Sequence, residues 1–169
     1  MSRPVTPLPV PQMPGLRVAL VVSTYHDGIT RRLADGAREG LAAAGIAATD
    51  IDQLDVPGAY EIPFGARTAA ASGRVDAVVC LGCLIKGETP HFDYIAQAAA
   101  HGIMRAAQST RVPIAFGVLT TNTAEEARAR AGTDRANKGR EAADAAVAMA
   151  RLYRQFDDAS ESRRTGGAS

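Results

Sequence analysis

Four short apolar runs are spaced along the chain, and between them apolar residues recur every three or four positions. The first run, residues 16–22, predicts a strand, and Ile29, Leu33, Ala37 and Leu41 after it predict a helix that stops near Gly45. A weaker strand over Ile51–Val56 leads through Pro57-Gly58 into a helix over 61–72, with Gly73 as its stop. The third run, Ala77–Ile85, is apolar without alternation, as in a strand covered on both faces. Residues 91–107 follow it as a helix with Ile95, Ala99, Gly102 and Ala106 on one stripe. Residues 114–119 form the fourth predicted strand. Two helices close the pattern, Ala124–Arg130 and 139–155, the latter with Ala142, Ala146, Met149, Tyr153 and Phe156 as its stripe.

Regular alternation of strand and helix implies right-handed crossovers and a parallel sheet. The expected fold is therefore a three-layer α/β/α sandwich around a four-stranded parallel sheet. Outside it, residues 1–15 carry Pro4, Pro7, Pro9, Pro11 and Pro14 and predict an extended arm rather than a core element. Residues 157–169 are polar and rich in Gly and Ser, which predicts a disordered tail. The domain itself spans 16–156.

At 169 residues the chain has the length of one domain. A formal net charge of +1 provides no field for nucleic acid or an anionic membrane, and no apolar run approaches the roughly 20 residues of a bilayer span. With 2 Cys and no basic region before a long apolar stretch, the expectation is a cytoplasmic protein without a disulfide framework. Of the 19 basic residues only Lys86 and Lys138 are lysines, and each precedes a glycine.

Ligands of open parallel sheets bind beyond the carboxyl ends of the strands, which points to residues 24–28, 57–61, 86–91 and 120–123. The third loop, Lys86-Gly87-Glu88-Thr89-Pro90-His91-Phe92-Asp93, is the richest. Gly87 frees the backbone, Thr89 offers a hydroxyl, and a helix starting at Pro90 or His91 aims its first amides at an anion such as phosphate. His91 then stands where a proton can be exchanged near neutral pH, while Asp93 offers a plain capping alternative. Glu61 sits in the first turn of its helix, either complementing the dipole or accepting hydrogen bonds from a polyhydroxylated ligand. Tyr25 beside His26 offers a ring to a flat heterocycle. Arg130 and Lys138, at a helix end and a helix start, are two cations able to close over a phosphate.

Other motifs lead nowhere. Cys80 and Cys83 have C-x-x-C spacing but lie in a predicted buried strand, where residues three apart face opposite sides. His101 reads as a packed or surface residue of a helix. Neither a Gly-x-Gly-x-x-Gly fingerprint nor a Walker loop is present, which disfavours dinucleotides and nucleoside triphosphates.

Four segments taken together carry a resemblance: Val56-Pro57-Gly58-Ala59-Tyr60-Glu61-Ile62-Pro63, Leu81-Gly82 through Lys86-Gly87-Glu88-Thr89-Pro90-His91-Phe92-Asp93-Tyr94, Phe116-Gly117-Val118-Leu119-Thr120, and Arg130-Ala131-Gly132 with Asn137-Lys138-Gly139. In this order and spacing they resemble the 6,7-dimethyl-8-ribityllumazine synthase family of riboflavin biosynthesis, over about residues 17–156. The resemblance implies a flavodoxin-like strand order and a transferase-type enzyme that needs no cofactor and no metal. The implied reaction condenses 5-amino-6-(D-ribitylamino)uracil with 3,4-dihydroxy-2-butanone 4-phosphate, releasing phosphate and water. By family likeness Tyr25 stacks on the pyrimidine, Ala59, Tyr60 and Glu61 hold the ribityl chain, and the backbone of Leu84, Ile85 and Lys86 reads the pyrimidine edge. Glu88 and Thr89 serve the phosphate with Arg130 as its clamp, and His91 shuttles protons. Phe116, Arg130 and Lys138 come from a neighbouring subunit, which implies a homopentamer and leaves open a dimer of pentamers or a shell of twelve. Association with riboflavin synthase belongs to the same set of implied partners.

The chain departs from the family's pattern in two places. Tyr25-His26 stands where many members carry Phe-Asn, and Asp134, Arg135 and Ala136 replace the usual lysine and glycine of that linker. The linker has no insertion, which favours shells, whereas the prolines of the arm cannot donate to a neighbour's sheet. Alternatives to an active synthase are a catalytically weak paralogue that binds riboflavin-like ligands or acts as a scaffold, and a flavodoxin-like FMN carrier or receiver that shares only the architecture.

Overall fold

The computed structural model describes residues 9–166, with side chains for 9–163. The elements are β1 (Val18–Ser23), α1 (Asp27–Ala43), β2 (Ile51–Val56), α2 (Ile62–Ala71), β3 (Ala77–Ile85), α3 (His91–Thr110), β4 (Ile114–Thr121), α4 (Ala124–Arg130) and α5 (Lys138–Gly166), with single 3-10 turns at Ala48–Asp50 and Ala59–Glu61. The four strands are all parallel in the order β2-β1-β3-β4, the flavodoxin-like order. Among the described residues no helix is long and apolar enough to cross a membrane.

The unbroken apolar run of β3 has a direct cause, since both its faces are covered. Val79, Leu81 and Cys83 join Val18, Leu20 and Val22 under α1 and α5, while Val78 and Cys80 join Ala19 and Val21 under α2 and α3. Side chains alternate between the two cores along each central strand. β4 forms one edge of the sheet and pairs only with β3 among the described residues, from Val78 opposite Ile114 to Ile85 opposite Thr121.

Three expectations change. The arm is not wholly outside the core: Met13 is buried in it, and its amide donates to the Ala44 carbonyl at 2.8 Å. The Leu16 amide turns back to the Met13 carbonyl at 3.2 Å across the Pro14-Gly15 turn, where Gly15 has φ 80°, and β1 begins at Val18 instead of residue 16. Pro4 and Pro7 lie outside the described residues. The expected disordered tail continues α5 to Gly166, because no glycine or proline interrupts 156–165; residues 167–169 lie outside the described residues. The α5 stripe also splits. Ala142 and Ala146 are buried with Ala143, Val147 and Ala150, but Met149, Tyr153 and Phe156 are exposed and line an apolar groove beside Met104 and Val112. Alanine lets α5 sit close on β3 and β4, which moves the contact toward 143, 147 and 150 and turns the larger side chains outward.

The start of α5 is fixed by one residue. Asn137 is 3% exposed and satisfies both ends of its amide. Its Oδ1 accepts from the Gly139 amide at 2.8 Å and the Arg140 amide at 3.2 Å, while its Nδ2 donates to the carbonyls of Arg32 at 3.0 Å and Gly132 at 2.7 Å. The side chain thus caps α5 and ties it to α1 and to the end of α4. Two glycines make room for this: a Cβ on Gly139 would overlap the Leu33 carbonyl oxygen, and one on Gly36 would overlap the Asn137 side chain. Asn137→Ala should cost about 2–4 kcal/mol in urea unfolding, since the cap goes and two carbonyls lose their donor. A loss below about 1 kcal/mol, an ordinary cap value, would deny Asn137 this role.

At the opposite edge of the sheet Asp76 gathers three segments. The Arg17 backbone amide donates to its Oδ2 at 2.9 Å, the Arg17 guanidinium to Oδ1 at 3.2 Å, and Arg154 of α5 approaches Oδ2 at 3.6 Å. Burial alone would raise the Asp76 carboxyl, but the hydrogen bonds from Arg17 and the charges of Arg17 and Arg154 outweigh it and hold the group below its ordinary 3.8. A lowered native value makes this contribution complete at neutral pH, and it is lost as pH falls below 3.8 toward the native value. Asp76→Asn should therefore lower the melting temperature at pH 7, with the gap from the parent closing in acid; a gap independent of pH would exclude charge as its source.

Candidate active site

The five helices start in two different ways. Thr123 caps α4, accepting from the Glu126 amide at 3.2 Å, while the Glu126 carboxylate accepts from the Asn122 amide at 2.8 Å. Asn137 caps α5. By contrast α1, α2 and α3, which follow β1, β2 and β3 directly, have no side-chain cap. In α1 and α3 the first amides lie at the carboxyl edge of the sheet, where an external acceptor can take the place of a cap, whereas in α2 the Ile62 amide is bonded to the Ala59 carbonyl and Pro63 has none to offer. Sequence inspection singled out only the third of these helix starts.

The expected loop residues all lie along this edge. Tyr25 is 65% exposed, its amide donates to Ser23 Oγ at 3.3 Å, and its ring meets His26 edge-on with centroids 4.7 Å apart. Ala59 is buried in the 3-10 turn before α2 while Tyr60 and Glu61 are exposed there, and a Glu61 carboxylate oxygen lies over Gly58, 3.1 Å from where a Cβ would stand. Leu84 and Ile85 end β3 half-buried, and the Lys86 amide donates to the Thr121 carbonyl at 2.9 Å, which couples the third loop to the end of β4. Glu88, Thr89 and His91 are exposed, with Pro90 just before α3 and His91 its first residue. Asp93 lies in the first turn as an acidic residue but caps nothing with its side chain.

Phe116, Arg130 and Lys138 form a second group. They line a cleft of about 370 Å³ bounded by Phe116 to Thr120 of β4, Arg130 at the end of α4, and Lys138, Glu141, Ala142 and Ala145 of α5. None of Tyr25, Glu61, Lys86 or His91 lines it. Phe116 sits mid-strand yet is 47% exposed, because β4 is an edge and no further element covers it there among the described residues. Arg130 Nη1 donates to the Glu126 carbonyl at 2.9 Å, and Lys138 Nζ pairs with Glu141 at 2.8 Å. Glu141 escaped the sequence reading; its signal was the three-residue spacing from Lys138 on a helix.

Cys80 and Cys83 belong to opposite cores, and burial pushes the Cys83 thiol up to about 11 and the Cys80 thiol higher still. Neither is a reactive thiol in the folded chain. His101 is exposed on α3. Asp134 closes the altered linker as a turn: its Oδ1 accepts from the Ala136 amide at 3.1 Å and its carbonyl from the Asn137 amide at 3.2 Å, delivering the chain to the α5 cap.

A family model described as 6,7-dimethyl-8-ribityllumazine synthase matches residues 15–154, nearly the whole described domain. The chain belongs to that family. Its general setting is riboflavin biosynthesis, among transferase-type enzymes acting on small molecules. Within the lumazine synthase frame the Tyr25-His26 departure acquires a physical meaning. His26 adopts φ 59° and ψ 46°, the left-handed region in which Asn, Asp and His are the least penalised non-glycine residues. Histidine is thus among the side chains that take this left-handed turn into α1 at low cost. His26→Asn should leave stability within about 0.5 kcal/mol, whereas His26→Val should cost about 1–2 kcal/mol from left-handed strain alone. Equal stability of the two variants in chemical unfolding would contradict this backbone role.

Proposed function

We propose that this chain is an active lumazine synthase, condensing 5-amino-6-(D-ribitylamino)uracil with 3,4-dihydroxy-2-butanone 4-phosphate in the cytoplasm, with residues 16–156 as its catalytic unit. The observation that carries the reading is the division of the expected site residues into two surfaces of one chain. Tyr25, Ala59, Tyr60, Glu61, Leu84, Ile85, Lys86, Glu88, Thr89 and His91 lie along the carboxyl edge of β1–β3, and Phe116, Arg130 and Lys138 line the cleft outside β4. Each surface is half a site, and a ring of subunits joins the edge of one to the cleft of the next. A homopentamer closes such a heterologous contact.

In the joined site Tyr25 and Phe116 hold the pyrimidine, and Glu61 with its preceding turn takes the ribityl hydroxyls. The uncapped amides of α3, the Thr89 hydroxyl and Arg130 take the phosphate. His91, exposed at the start of α3, accepts and returns protons as the imine forms, phosphate leaves and the ring closes. Much of the rate comes from holding two reactants in register.

The test is formation of the fluorescent lumazine above the uncatalysed blank. His91→Ala should lower kcat by about 10²–10⁴ fold through loss of proton transfer, and Arg130→Ala should raise KM for the phosphate substrate. Mixing the two impaired variants, His91→Ala and Arg130→Ala, should raise activity above that of either alone through hybrid sites, while a monomer that turns over at full rate would refute the shared site. Tight riboflavin binding without turnover would instead favour the ligand-binding paralogue, which the Tyr25-His26 pair motivates.

A further inference from the structure

The cleft holds two cations, and they are not equivalent. Lys138 Nζ lies 2.9 Å from Glu141 Oε1 and 2.8 Å from Oε2. Two of its three ammonium protons, and its charge, are therefore engaged by a carboxylate one helical turn along α5. Arg130 instead donates to the Glu126 carbonyl, a neutral acceptor, and the Glu126 carboxylate is turned away to the Asn122 amide. Among the described residues no carboxylate pairs with Arg130. Residue types alone offered both cations to a phosphate; in the structure their partners differ.

We propose that Glu141 is a positioning residue that gives the two cations different ligands. It withdraws Lys138 from the anion site and leaves it one directed N–H for a neutral acceptor, such as a carbonyl oxygen of a flat heterocycle. Arg130 alone then meets the phosphate, with the planar fork that suits it. The Glu141 carboxylate also lines the cleft, so a second phosphate group entering beside the first meets a negative charge. The cleft is thereby tuned to a single phosphate and against a diphosphate. Lys138 and Glu141 side chains are 43% and 51% exposed, so the pair adds little to stability, and its effect lies in aim and local sign of charge. This inference rests on the reading of the cleft as half of the synthase site.

Isothermal titration of the intact assembled protein with inorganic phosphate and with pyrophosphate, at low salt, tests it. Arg130→Gln should weaken phosphate binding by about tenfold or more, whereas Lys138→Gln should change it by less than about twofold. Glu141→Gln should tighten phosphate binding about three- to tenfold and pyrophosphate binding further, with a steeper salt dependence, and Glu141→Asp should return both toward the parent. In turnover, Glu141→Gln should raise KM for the pyrimidine substrate more than for the phosphate substrate. Circular dichroism establishes that each variant is folded. The proposal is overturned if Lys138→Gln weakens phosphate as much as Arg130→Gln does, if Glu141→Gln leaves phosphate affinity unchanged, or if the parent binds no phosphate. A parent that shows the expected binding pattern but no turnover would remove the synthase reading while leaving the assignment of Glu141 in place.

Discussion

The backbone crossing of α1 and α5 constrains everything around the cleft. Gly139 lies against the Leu33 carbonyl with no room for a methyl group, and Asn137 fills the space that Gly36 leaves. Because the Asn137 amide is saturated by four partners on α1, the end of α4 and α5, these elements cannot slide without unpairing a buried polar group. Lys138, held between those two anchors in sequence, has its backbone fixed by them. Arg130 is fixed in turn, since α4 ends two residues before the Gly132 carbonyl that Asn137 grips.

That rigidity separates structural from chemical residues within one short motif. In Asn137-Lys138-Gly139 the flanking residues hold the fold and only the lysine reaches the cleft. The same separation runs through the helix starts. α4 and α5 use side chains for caps, whereas α1 and α3 have none and start at the edge where a polar ligand is expected. Electrostatics follows this plan: the cleft keeps one cation bare and one paired, a distinction between two residues that carry the same formal charge.

Much of this was legible beforehand because it follows from local periodicity. β3 declares itself by nine apolar residues in a row, and the start of α3 by Pro90-His91. Cys80 and Cys83 could be set aside from the two-residue period of a strand alone. The errors were of another kind. Met149, Tyr153 and Phe156 share a helical stripe with Ala142 and Ala146, yet the sheet accepts only the small residues at close range. Met13, read as part of an arm, is buried in the core and donates its amide to the Ala44 carbonyl just beyond α1, a long-range contact that no local pattern reveals.

The sequence by itself determined the order and type of most elements, the parallel sheet and the family, because each depends on residues near one another along the chain. Tertiary structure decided what depends on distance. It divided the expected site residues between the carboxyl edge of β1–β3 and a cleft outside β4, and it placed Phe116 at an uncovered edge. It also bound Lys138 to Glu141 while leaving Arg130 on a carbonyl. Spacing in sequence limits which groups can meet, but pairing is settled by rotamers and packing in three dimensions, and there two cations of equal charge became different tools.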